Sequence, residues 1–118
     1  MIPIRTEKEI ALIKTACSLT ARTMETVRVM VAPGVATIDI ANRAQRFIES
    51  NGGTAAFLGY NGYPGAICVS VNDEVVHGIP GDRVLEDGDI VKIDIGTYID
   101  GYYGDMSRSY AVGTIPDA

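Results

Sequence analysis

The stretch from Val91 to Arg108 constrains the fold more than any other. An apolar run, Val91-Lys92-Ile93-Asp94-Ile95-Gly96-Thr97-Tyr98-Ile99, meets an Asp100-Gly101 pair, and Tyr102-Tyr103-Gly104-Asp105-Met106-Ser107-Arg108 follows. Asp-Gly between two such runs is the chemistry of a two-residue hairpin turn. That loop sets Asp94 opposite Ser107 and Gly96 opposite Asp105. Side chains alternate along a strand, so Asp94, Gly96, Asp105 and Ser107 share one face, and Val91, Ile93, Ile95 and Met106 take the other. The two carboxylates become diagonal neighbours, within reach of a common ion. Asp94 between two isoleucines needs a partner. Lys92 on its own face is one candidate and a metal ion is another. A metal would use both carboxylates and would explain why Gly96 and Gly104 carry no side chain.

The rest of the chain must cover the apolar face. With 118 residues, the sequence 1–118 reads as a single domain with a modest core. Its 47% hydrophobic and 21% charged content is that of a globular protein. A net charge of −5 provides no basic stripe for nucleic acid. No apolar run approaches the ~18 residues of a membrane span, and no secretory h-region opens the chain. The expected location is cytoplasmic, with Cys17 and Cys68 reduced.

Thr6 and Glu9 have capping-box spacing, and Ile10, Ile13, Cys17, Met24 and Val27 follow at helical intervals. This helix should stop before Ala32-Pro33-Gly34. A second helix, with Thr37 as its N-cap, carries Ile40, Ala41, Ala44, Phe47 and Ile48 inward and ends at Asn51-Gly52-Gly53. Phe57 to Gly65 is a glycine-rich aromatic loop, most simply explained by aromatics pinning it to the core. Ala66–Val71 and Glu74–Gly78 read as a hairpin around Asn72-Asp73, with His77 opposite Cys68, and Glu86-Asp87-Gly88-Asp89 turns into the opening strand. Two helices followed by four short strands predict an α+β fold, two helices packed on one face of an antiparallel sheet. His77 is the only histidine, and taken alone a histidine of this kind is more often a structural hydrogen-bonding residue than a ligand or acid-base group.

Taken together, Gly62-Tyr63-Pro64, Cys68-Val69-Ser70-Val71-Asn72, Val75-Val76-His77-Gly78-Ile79-Pro80, Asp87-Gly88-Asp89-Ile90-Val91, Asp94-Ile95-Gly96 and Gly104-Asp105-Met106-Ser107-Arg108 resemble the type I methionine aminopeptidases. Proline-specific peptidases and creatinase of the same pita-bread superfamily are less similar across Asn72 to Pro80. Tyr103 departs from the family pattern, where histidine is common. The resemblance implies that Asp94 binds one metal of a two-metal site and Asp105 bridges both. It makes His77 a catalytic residue that also contacts the substrate, and Tyr60, Tyr63 and Cys68 residues lining or flanking the methionine pocket, with Phe57 at its edge. The implied cofactors are two divalent ions, Co, Mn, Fe or Zn, and the implied substrates are peptide N-termini beginning with methionine.

The resemblance covers the N-terminal half of the pseudo-two-fold pita-bread fold. The family's other ligands, one histidine and two glutamates, belong to the second half. After Asp105 the only acidic residue here is Asp117, and no histidine follows His77. The expectation is therefore weak or no aminopeptidase activity for the chain alone. One partner for such a half is the complementary second half. The other is an identical copy, giving a metal-binding or structural homodimer without peptidase chemistry.

Overall fold

A computed structural model describes residues 6–57, 65–72 and 79–113. The element order is α1 (Glu7–Arg28), α2 (Thr37–Ser50), β1 (Thr54–Ala55), β2 (Cys68–Val71), β3 (Ile90–Ile99) and β4 (Tyr102–Ala111). The α+β expectation holds: both helices lie on one face of an antiparallel sheet.

β3 is the organising strand. β4 pairs along its full length on one edge, and β2 and β1 follow one another along the other. The register is the one the Asp-Gly turn predicts, Asp94 opposite Ser107 and Gly96 opposite Asp105. Asp100 and Gly101 have φ of 53° and 86°, the two positive values a type I′ turn demands. β3 and β4 have ten residues each, longer than the short strands expected. β1 was not anticipated, because two residues carry no alternation to detect. The expected return strand Glu74–Gly78 lies outside the described residues.

α1 begins at the predicted capping box: the Glu9 amide donates to Thr6 Oγ1, and the Thr6 amide to Glu9 Oε1, both at 3.1 Å. Its buried stripe is Ala16, Leu19, Thr20, Thr23, Met24 and Val27. Ile10 (41% exposed) and Cys17 fall off that stripe, which corrects the apolar spacing read above. Ala and Thr take those positions because the helix lies close to the sheet. The buried threonines satisfy their hydroxyls on carbonyls one turn back, Thr20 on Ala16 O at 2.9 Å and Thr23 on Leu19 O at 2.7 Å.

α2 buries Ile40, Ala41, Ala44 and Ile48 and leaves Phe47 half-buried. Its N-cap is Ala36, without a side-chain bond. Thr37 is the first helical residue, and its hydroxyl is used elsewhere, donating to Gly81 O (3.1 Å) and accepting from Gly81 N (2.9 Å). This tertiary tie outcompetes local capping. At the other end Gly53 N bonds Ile48 O and Gly52 N bonds Glu49 O, a Schellman closure. The core is completed by Ile67, Val69, Val71, Leu85, Val91, Ile93, Ile95 and Val112.

The turn before β3 is fixed by Asp89. Its carboxylate accepts from the Glu86 amide (2.8 Å) and Asn72 Nδ2 (2.9 Å), and Asn72 Oδ1 accepts from Ile90 N (2.8 Å). The Glu86 amide first, then the Asn72 amide, hold the Asp89 carboxyl below the usual range.

Candidate functional site

The face of the sheet turned away from the helices carries the candidate residues. Across it, Cys68 pairs with Asp94 and Asp94 with Ser107, so the three form one row over β2, β3 and β4. The next row is Gly96 with Asp105, and beyond it Tyr98 with Tyr103, whose ring centroids are 4.8 Å apart. Asp94 is half-buried and Asp105 exposed, whereas Cys68 is 3% exposed.

The side chain of neither Asp94 nor Asp105 makes a hydrogen bond or an ion pair with a described residue. Lys92 therefore does not neutralise Asp94. Two carboxylates on adjacent rungs, with side chains roughly 7 Å apart by ordinary sheet geometry, offer oxygen ligands to a hard divalent ion. Two are fewer than a closed site needs, and among the described residues no group of three or more His, Cys, Asp or Glu is placed to hold a metal. The donor set fits part of a metal site.

The glycines expected to clear space for an ion have other duties. A Cβ on Gly96 would lie 3.0 Å from Phe57 Cε1 and 3.3 Å from Ala56 Cβ. The ring of Phe57 therefore occupies the space above Gly96, beside the Asp105 row. Gly104 pairs with Thr97 and faces α1, where a Cβ would meet Thr20 Oγ1 and come within 2.5 Å of Ala16 O. It serves helix packing and lies on the other face from the carboxylates.

Of the residues singled out in the sequence, Phe57, Cys68, Asp94 and Asp105 share the open face. Tyr60, Tyr63 and His77 lie outside the described residues. The contact of Phe57 with Gly96 was missed, although a glycine between Ile95 and Thr97 in a long strand is itself a sign of close approach.

A model of metallopeptidase family M24 matches residues 11–118. Methionine aminopeptidase 1 of Bacillus subtilis (strain 168) is 47% identical over 117 residues, covering 99% of this chain and 47% of that protein. The crystal structure of a methionine aminopeptidase from Rickettsia prowazekii superposes with a TM-score of 0.94 at 42% identity, over 98% of this chain and 47% of the other. A Xaa-Pro dipeptidase from Bacillus anthracis gives a TM-score of 0.79 at 30% identity, over 97% and 31%. The chain spans about half the length of the methionine aminopeptidases it matches, and its fold is one half of the pita-bread architecture.

Proposed function

This chain belongs to metallopeptidase family M24, and on that premise we propose that it forms one wall of a methionine aminopeptidase site, acting on peptide N-termini that begin with methionine. The observation that carries the reading is the pair Asp94 and Asp105, partnerless among the described residues and on one open face, in a chain 47% identical to a methionine aminopeptidase.

In this reading Asp94 and Asp105 would be the residues of this chain that hold the divalent ions. Bound there, the ions would supply Lewis acidity toward the scissile carbonyl. Cobalt, manganese, iron and zinc all remain candidates. Phe57, seated on Gly96, walls off water beside the carboxylates and borders the pocket for the methionine side chain. Cys68, Tyr60 and Tyr63 line it, and His77 contacts the substrate. The remaining ligands come from a complementary half, and the chain works in the cytoplasm. Among the described residues, no helix is long and apolar enough to cross a membrane.

The test is complementation. The 118-residue chain is mixed with the remaining portion of the Bacillus subtilis relative, and release of methionine from a methionyl peptide is measured with added metal. The chain alone should show little or no turnover, and the mixture should gain it. A mixture that associates yet stays inactive with every one of the four metals would count against the reading.

A second reading, a homodimer without peptidase activity, is favoured by one observation. Among the described residues β4 pairs only with β3, leaving a ten-residue edge open beside exposed Tyr103 (68%) and Ile90 (46%). Solution mass by light scattering separates the two readings, since a monomer at micromolar concentration removes the dimer.

A further inference from the structure

Beneath the carboxylate pair, on the helix side of the sheet, lies a small polar seat that the apolar core does not require. Thr20 Oγ1 and Thr97 Oγ1 are 2.8 Å apart, and both contact Ala16 O, at 2.9 and 3.2 Å. Both threonines are fully buried. The strand residue opposite Thr97 is Gly104, and only a residue without a Cβ fits there against Thr20 and the Ala16 carbonyl. α1 is thus pressed onto the rung Thr97–Gly104, the rung adjoining Gly96–Asp105.

We propose that Thr20, Thr97 and Gly104 are positioning residues for the carboxylate pair, setting the separation of Asp94 and Asp105 by pinning the hairpin to α1; this rests on the metal-site reading above. Adjacent strands twist by about 20–25° on average but over a range of about 10–35°, and β2 and β1 brace only the β3 edge of the hairpin. The twist between the Asp94–Ser107 and Gly96–Asp105 rungs fixes how far apart the diagonal carboxylates stand. A contact next to the second rung, made through backbone and short hydroxyls, leaves that twist little freedom. Apolar contacts elsewhere on the core face hold the sheet to the helices without the directionality of a hydrogen bond. A hydroxyl-to-hydroxyl bond is directional and specifies register.

The test uses the 118-residue chain with Mn(II) alone as the probe, reading affinity by titration calorimetry and stability by thermal melting. Thr97→Val keeps the branched shape and leaves the Thr20 hydroxyl its Ala16 acceptor, so no buried donor is orphaned. Thr97→Ser keeps the hydroxyl. Thr23→Val also removes one buried α1 hydroxyl, but that one bonds only Leu19 O of its own helix. By analogy with residues that orient metal ligands from behind, Thr97→Val should weaken Mn(II) about tenfold, while Thr97→Ser and Thr23→Val stay within about twofold of the parent. Gly104→Ala should weaken it further, and if that variant does not fold, Thr97→Val decides. Equal affinity for Thr97→Val and the parent, or equal loss in Thr23→Val, would overturn the proposal. Where the parent alone binds no Mn(II), the same titrations are run on each variant mixed with the remaining portion of the Bacillus subtilis relative, which supplies the other ligands; absence there of binding that Asp94→Asn abolishes overturns the metal-site reading and this one with it.

Discussion

The two faces of the β3–β4 hairpin are made of consecutive residues and have opposite characters. On the helix side Val91, Ile93 and Ile95 are fully buried and Thr97 is bonded to α1. On the other side Ile90, Tyr98, Tyr103 and Asp105 are exposed and Asp94 is only half-covered. The first face stabilises the fold and has no chemistry left to offer. The second contributes little to stability and keeps two carboxylates without partners among the described residues. A strand with one face for structure and one for chemistry explains how a small domain can present ligands without weakening its core.

The sharpest way to break this comparison is at neighbouring residues on opposite faces. Ile93→Ala should cost about 2–5 kcal/mol, since it opens a cavity among fully buried side chains. Urea denaturation measures it directly. A loss near zero would mean that the helix face is not the structural one. Next in size is Gly104→Ala, which forces a methyl against the Ala16 backbone. Overpacking of this kind costs about 1–3 kcal/mol, and the melting temperature should fall accordingly.

The register, the turn, the α1 capping box and the sidedness of the hairpin were legible in the sequence. Each depends on local chemistry: Asp100-Gly101 for the turn, Thr6 and Glu9 for the cap, alternation for the faces. What was not legible depends on tertiary approach. Ile10 and Cys17 share the helical spacing of core residues, yet the surface that buries α1 is defined by where Gly104 lets it touch. Thr37 has the chemistry of an N-cap, but Gly81, distant in sequence, takes its hydroxyl. Gly96 in a strand signals a close approach, but nothing local says that the Phe57 ring, and not an ion, makes it. The carboxylate pair follows from strand parity alone, whereas the metal role proposed for it draws on family membership.

A pH dependence should sharpen the structural side. The Asp89 carboxyl is held below its ordinary range by the Glu86 and Asn72 donors. Its contribution is therefore present above the unfolded value of about pH 4 and fades as pH falls through the lower folded value. Comparing the parent with Asp89→Asn across pH 2 to 7, the stability gap should be widest at neutral pH and close on acidification. A gap independent of pH would show that the turn does not depend on the charge. Smaller again is Tyr103→Ala on the open face, where loss of the pairing with Tyr98 should cost only about 0.2–1 kcal/mol.

The smallest effect on stability should come from the residues with the most chemistry. Asp94→Asn and Asp105→Asn each remove a charge that has no described partner and stands near another of the same sign. Each melting temperature should stay level or rise slightly, a change within about 0.5 kcal/mol. The same substitutions should remove the gain in stability that Mn(II) gives the parent, because a ligand stabilises only the state that binds it. Ligand residues kept at some cost to folding are the mark of a site. If instead either variant melts as low as Ile93→Ala, the carboxylates are structural, and the two faces of the hairpin are not divided between folding and chemistry.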